Sequence, residues 1–206
     1  MLQLVLEMLV NGTPPSAIAK NIASQIALTT PELKAHDLPC EGYIRRCRTI
    51  LRIVGETLTS YELAKQEKWK QLFTDGTSRR QVSLQNLIIN IVEDDSLRSL
   101  VLSSAIILEG ESSQQQCNAV METIKLGGKR LQQWAESMTA MFPSFSHNIP
   151  PPSEMDIGKL GHNGAITSDT CNSARKTRRL LVDQIRCAAI ELREGSKDIN
   201  VIEVDC

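Results

Sequence analysis

The sequence predicts an α/β fold: a mixed sheet built in the order β-β-β-α-β-α-β and preceded by an all-helical N-terminal segment. Two observations carry this. Up to about residue 67, apolar residues recur at steps of three and four, the period of a helix face. From Leu72 onward, three apolar, β-rich runs follow one another at short spacing. Helical stretches then alternate with short apolar strands, as in α/β sheets. The chain of 206 residues is 41% hydrophobic and 23% charged, which suits a globular domain with a buried core plus a smaller segment. Aromatic residues make up only 3%, so that core must be built mainly from Leu, Ile, Val and Ala. A formal net charge of −1 gives no global attraction to nucleic acid, and polyanion binding must come from local clusters of Arg and Lys.

The helical segment, 1–67, opens with Leu2, Val5, Leu6, Leu9 and Val10 on one helix face, stopped by Asn11-Gly12. Thr13 sits where an N-cap belongs, with Pro14-Pro15 opening a second helix that carries Ile18, Ala19, Ile22 and Ile26 on one side. Residues 2–28 can be a helix-turn-helix, with Lys20, Asn21, Ser24 and Gln25 as the polar readers, or a plain packing hairpin. After a turn-rich stretch from Thr29 to Gly42, a long helix is expected from Tyr43 to Lys70. Its apolar face is Ile44, Cys47, Ile50, Leu51, Val54, Leu58, Tyr61, Leu63 and Ala64. Its polar face holds Arg45, Arg46, Arg48 and Arg52, which either contact phosphates or form a solvated surface.

The core segment, 68–206, begins with a short strand, Leu72-Phe73, running into an acidic turn, Asp75-Gly76-Thr77. Val82 to Val92 reads as a strand buried on both faces, and Leu100 to Leu108 as its neighbour after a turn at EDDSLRS, giving an antiparallel meander. Ser112 to Met141 returns to helical period through Val120, Ile124, Leu131, Trp134 and Met138, with Gly127-Gly128 as a candidate break. A Pro-rich surface loop, Ser144 to Glu154, leads to a short apolar strand ending in Asp169. A helix from Ala174 to Gly195 buries Leu180, Leu181, Ile185, Ala188, Ala189 and Leu192, and INVIEV is the final strand.

Six cysteines (Cys40, Cys47, Cys117, Cys171, Cys187, Cys206) are scattered without C-x-x-C pairing. The apolar start carries Glu7 and no basic leader. The expectation is an intracellular protein with reduced thiols, not secreted, with no zinc site made of these cysteines alone. No run approaches the ~18 apolar residues of a membrane span, so no membrane partner is expected.

An aspartate on the first strand and another at the end of the fourth, in this element order, make the chain resemble the ribonuclease-H-like fold. Within it, the chain is most similar to the cut-and-paste transposases of the DDE/D type. The residues that carry the resemblance are F-T-D-G-T at 73–77 and S-D-T-C-N-S-A-R at 168–175, within residues 68 to 206. The resemblance implies that the first and fourth strands are central neighbours, so that Asp75 and Asp169 face each other and ligate Mg²⁺ or Mn²⁺. Two such cations, about 3.5–4 Å apart, activate the attacking oxygen and stabilise the leaving oxygen of a phosphodiester. Without metal, like charges this close raise one carboxylate's pKa. As ordinary structural residues, Asp75 is a turn former before Gly76 and Asp169 an N-cap.

Arg79 and Arg80 follow the first aspartate; Arg175, Lys176, Arg178 and Arg179 open the helix after the second. Under the resemblance they meet DNA phosphates, helped by the helix N-terminus; otherwise they are solvated helix charges. Contacts from about four of them give a salt slope of about −3.6. A ribonuclease H proper carries a glutamate early in the helix after the third strand, where this chain has Cys117, with Glu109 and Glu111 just before and Glu122 after. Transposases of this type take their third acid from a helix beyond the fifth strand, past Cys206, and Glu203 and Asp205 are not promoted to that role. Cys206, with no cap or tail after INVIEVD, reads as a chain cut off within a domain.

The function expected is thus that of a fragment of a transposase-like DNA strand-transfer enzyme, inactive as this chain. It is nuclear if the transposase is eukaryotic, and a homo-oligomer is compatible with it. The alternative is a non-catalytic DNA- or protein-binding module derived from a transposase. An actin-like ATPase is a third option, opposed by the lack of a second glycine-rich phosphate loop.

Overall fold

Three helices come first: α1 (Leu2–Val10), α2 (Pro15–Thr29) and α3 (Glu41–Lys65). The computed structural model describes residues 2–30, 32, 38–79, 82–107, 112–142, 149–161, 164–168, 172–192 and 202–205. The chain divides into two compact units, Met1–Gly55 and Glu56–Cys206, so the division falls inside α3 rather than at residue 67.

In the first unit Val5, Ile18, Ile22, Ile44 and Cys47 form a small core. α1 stops at Gly12, whose φ of +79° is a left-handed conformation that glycine adopts without a Cβ penalty. The Thr13 amide donates to the Met8 carbonyl at 3.0 Å and so closes α1. Thr13 is therefore not the N-cap of α2. Pro14 is, without a side-chain acceptor, and Pro15 takes the first helical position, where a missing N–H costs nothing.

α3 ends at Lys65, five residues before the expected Lys70. The cause is Trp69, buried with its indole Nε1 donating to the Leu63 carbonyl at 3.1 Å and its backbone N–H donating to the Lys159 carbonyl at 2.9 Å. These bonds turn the chain out of the helix and into the sheet.

The second unit is built on strands β1 (Gln71–Arg79), β2 (Val82–Glu93), β3 (Ser96–Ile107), β4 (Ala165–Ser168) and β5 (Ile202–Asp205). They form one mixed sheet in the order β3-β2-β1-β4-β5, antiparallel from β1 to β3 and parallel from β1 through β4 to β5. The fold of this unit is α/β. The β2–β3 connection is tighter than EDDSLRS suggested. Only Asp94 and Asp95 turn, both with positive φ (50° and 60°), which the two-residue hairpin demands and aspartate tolerates. Leu72, Thr74, Leu87, Ile89, Ile91 and Ile166 share the buried face. On the other face of β2, Ile88 is half-buried and Val92 exposed, so β2 is fully buried on one side and not on both.

Helices α4 (Ser113–Met141) and α5 (Asn172–Leu192) pack on that buried face, through Val120, Ile124 and Leu131 of α4 and Leu181, Val182 and Ile185 of α5. Ser112 and Gln115 cap α4 reciprocally. Gly127-Gly128 does not break α4, which runs through it. A Cβ on Gly127 would stand 2.8 Å from Met155 Cε and 2.9 Å from Ser60 Oγ, and one on Gly128 2.9 Å from the Pro152 carbonyl oxygen. The pair is a notch that lets α3 and the segment after Ile149 approach α4. Of the described part of the expected loop, residues 151–154 are exposed, on a 3-10 turn at Pro152–Glu154, and Ile149 is buried; just past the loop Met155 is buried, as are Ile157 and Leu160 on a second 3-10 turn at Ile157–Leu160. The Tyr61 ring meets Trp134 edge-on at 5.4 Å, and Glu56 pairs with Arg130 at 2.5 Å, both side chains mostly out of water.

Candidate functional site

Asp75 lies in the middle of the sheet. It is not in a turn: β1 continues through Asp75 and Gly76 to Arg79, in unbroken antiparallel register with β2. Asp75 stands opposite Asn86 and is exposed, while the preceding Thr74 points to the buried face. The sequence signal misled because Asp-Gly is a frequent turn pair. Pairing with β2 across nine residues of β1 decides the local structure instead.

On its other side β1 pairs with β4 in parallel, Gln71 with Ala165 through Thr74 with Ser168. Thr74–Ser168 is the last pair of this ladder, and each of its members is followed in the chain by an aspartate. Asp169 itself lies outside the described residues, as do Arg80, Glu109 and Glu111. Arg79 is placed only as the end of β1, opposite Val82.

A hydrogen-bonded chain that sequence reasoning missed crosses the three central strands on the face that carries Asp75. Asn90 Nδ2 of β2 donates to Gln71 Oε1 of β1 at 3.2 Å, and Gln71 Nε2 donates to Thr167 Oγ1 of β4 at 2.8 Å. Thr167 and Asn90 are buried. A slip of one residue exchanges the faces of a strand. These side-chain bonds tie β1 to β2 and β4 on the face that carries exposed Asp75. The signal was in the sequence: Asn90 interrupts the apolar run LIINIV, and a polar side chain there needs partners.

The basic residues separate. Arg175, Lys176 and Arg179 are exposed on the first turns of α5. Arg178, expected beside them, is 5% exposed and turned into the protein next to buried Thr177. Thr177 Oγ1 is within 2.8 Å of Gln116 Oε1 and 3.3 Å of the Ser113 carbonyl, which fastens the start of α5 to the start of α4. Cys117 of α4 is buried among apolar residues, and burial pushes its thiol pKa up. Glu122 is exposed and pairs with Lys125. Glu203 and Asp205 belong to β5, opposite Ile166 and Ser168. In α2, Lys20, Asn21, Ser24 and Gln25 are all exposed.

Among the described residues no three His, Cys, Asp or Glu side chains converge on one point, and no helix is long and apolar enough to cross a membrane. What the described part of the central strand offers a metal is one exposed carboxylate, an oxygen donor of the kind that suits a hard cation such as Mg²⁺ or Mn²⁺. No family model matches the chain, and neither a curated protein nor a solved structure is significantly similar to it.

Proposed function

We propose that residues 56–206 form a ribonuclease-H-like core of the DDE/D transposase type, in which Asp75 and Asp169 together ligate Mg²⁺ or Mn²⁺ at a DNA phosphodiester. The observation that carries this reading is the register of the two central parallel strands, which ends at Thr74 and Ser168, one residue before each aspartate. The sheet order β3-β2-β1-β4-β5, with β2 alone running against the rest, supports it.

Divalent cations held there supply charge neutralisation and activation of the attacking oxygen. The chain's own part is to hold the ligands still. β1 is hydrogen-bonded on both sides up to Thr74, and the Asn90–Gln71–Thr167 chain adds side-chain bonds across the same strands. Asp75 thus needs little ordering when it binds, which favours affinity. Arg175, Lys176 and Arg179 offer exposed positive charge to the phosphate backbone, whereas buried Arg178 serves the fold.

Thermal unfolding with and without millimolar Mg²⁺ or Mn²⁺ tests the reading. Stabilisation of the wild type that is absent in Asp75→Asn supports it. No stabilisation, or the same stabilisation in Asp75→Asn, removes the metal site and leaves a non-catalytic binding module.

A further inference from the structure

We infer that Asn86 of β2 is a further ligand of the cation held by Asp75, through its amide oxygen Oδ1. This rests on Asp75 as a metal ligand and adds a residue from the neighbouring strand, outside both aspartate motifs.

The strand register brings the two side chains together. Asp75 and Asn86 are direct partners in the antiparallel ladder between β1 and β2. Directly opposed residues share one face of a sheet, with Cβ atoms about 4.5–5.5 Å apart, which puts both side-chain oxygens within reach of one ion. Asp75 is exposed there and Asn86 half-buried.

β2 carries two asparagines on this face, Asn86 and Asn90, although asparagine is depleted in strands. Asn90 is accounted for, because its Nδ2 donates to Gln71 Oε1. Asn86 has no such bond. Among the described residues, neither the Asn86 amide nor the Asp75 carboxylate is hydrogen-bonded to another protein group. Two unbonded polar side chains thus stand side by side on a sheet whose other polar positions are tied together.

The backbone marks the same spot. The ladder from β2 to β3 slips twice, between Gln85 and Asn86 and again between Leu87 and Ile88. β3 has one extra residue at each slip, Ala105 and Leu102, while the ladder from β2 to β1 stays regular through the same stretch. From Val101 back to Ser96 the β3 register is unbroken, so the irregularity is confined to the neighbourhood of Asn86 and not spread along the edge of the sheet. Bulges raise the local twist and re-aim side chains, and they collect beside functional sites for that reason. Here the change of twist falls on the residue opposite Asp75.

The chemistry suits the position. An amide oxygen is a hard, neutral donor that Mg²⁺ and Mn²⁺ accept beside carboxylates, and an Asp with an Asn is the pairing that holds Mg²⁺ in protein kinases. A carboxylate at position 86 would set like charges directly across the ladder and destabilise the metal-free sheet. Asparagine supplies the oxygen without that repulsion.

Mn²⁺ binding to the full chain, followed by electron paramagnetic resonance, tests the role of Asn86. The proteins compared are the wild type, Asp75→Asn, Asn86→Val and the exchange variant Asp75→Asn/Asn86→Asp. Valine favours strands, so Asn86→Val removes the oxygen without weakening β2, and metal-free thermal unfolding checks that each variant folds. Asn86→Val is expected to bind Mn²⁺ at least about tenfold more weakly, the scale of loss when a metal site loses one supporting group. The exchange variant keeps one carboxylate and one amide at the two positions, and it is expected to recover most of the affinity lost in Asp75→Asn. Wild-type affinity in Asn86→Val overturns the inference, as does an exchange variant that binds no better than Asp75→Asn. Should Asn86→Val not fold, the exchange variant decides alone. Weakened binding in Asp75→Asn with none of the loss in Asn86→Val leaves the metal reading standing and removes only Asn86, whereas a wild type that binds no Mn²⁺ removes both.

Discussion

Thr74 on β1 and Ser168 on β4 are register partners in a parallel pair, and both are buried. Side chains alternate along a strand, so the residue after Thr74 must point to the opposite face. That residue is Asp75, and it is exposed. The position of the carboxylate therefore follows from a burial pattern one residue away, and the parts of the fold that maintain it can be perturbed one at a time.

The Asn90–Gln71–Thr167 chain on that face is the first of these. Thr167→Val keeps the shape of the side chain but leaves Gln71 Nε2 without its acceptor. We expect a loss of about 1 kcal/mol in denaturant unfolding, the net worth of one hydrogen bond between half-buried Gln71 and buried Thr167. If the chain also fixes strand register, the same variant weakens Mn²⁺ binding, although Thr167 is not a proposed ligand.

The glycine notch gives a ranking. Alanine raises helix propensity by about 1 kcal/mol at either position. At Gly127 the new methyl group meets the mobile end of Met155 and the Ser60 hydroxyl, whereas at Gly128 it meets a backbone carbonyl that cannot rotate away. Gly128→Ala should therefore be less stable than Gly127→Ala by about 1 kcal/mol or more. Chemical denaturation of the two variants checks the order.

Glu56 and Arg130 form an ion pair largely shielded from water. Arg130→Met removes the Arg130 charge from a mostly buried Glu56 carboxylate and should cost about 3 kcal/mol, while the double variant Glu56→Gln/Arg130→Met should recover most of that loss. A double-mutant cycle measures the coupling, and additive losses contradict the pairing.

Thiol chemistry separates the cysteines. Burial raises the Cys117 pKa above its usual value of 9.0, so the folded protein keeps the thiol protonated. The stability this group contributes is fully present below pH 9.0 and is lost as pH rises through the folded-state value. At neutral pH, alkylation followed by mass spectrometry should label exposed Cys40 and Cys187 first and reach Cys117 only on unfolding.

Much of this fold was legible in the sequence, and the reasons are local. The meander could be read because β2 and β3 are long, aliphatic runs, and α4 because Val120, Ile124 and Leu131 keep a helical period. What could not be read was decided by tertiary contacts. Asp75-Gly76 has turn chemistry, yet the ladder to β2 keeps it extended. Gly127-Gly128 has breaker chemistry, yet it serves as a packing notch for residues about 25 and 67 positions away, a close approach of the kind that needs missing side chains. Trp69 looked like the end of a helix, and its indole bond to Leu63 instead ends that helix early. At the candidate site, Asp75 stands out in the sequence as the acid that follows the apolar pair Leu72-Phe73. The Asn90–Gln71–Thr167 chain could not, because it joins three strands distant in sequence. Nor could the burial of Arg178, since its neighbours Arg175, Lys176 and Arg179 are of the same chemical kind and exposed.

Mn²⁺ binding followed by electron paramagnetic resonance is the most direct measurement of the central claim, using the wild type, Asp75→Asn, Asp169→Asn and the double variant. A shared site predicts that each single substitution weakens binding at least about tenfold, about 1.4 kcal/mol, and that the double variant loses little more than either. Wild-type affinity in Asp75→Asn, or losses that simply add, contradicts a metal site made by these two aspartates.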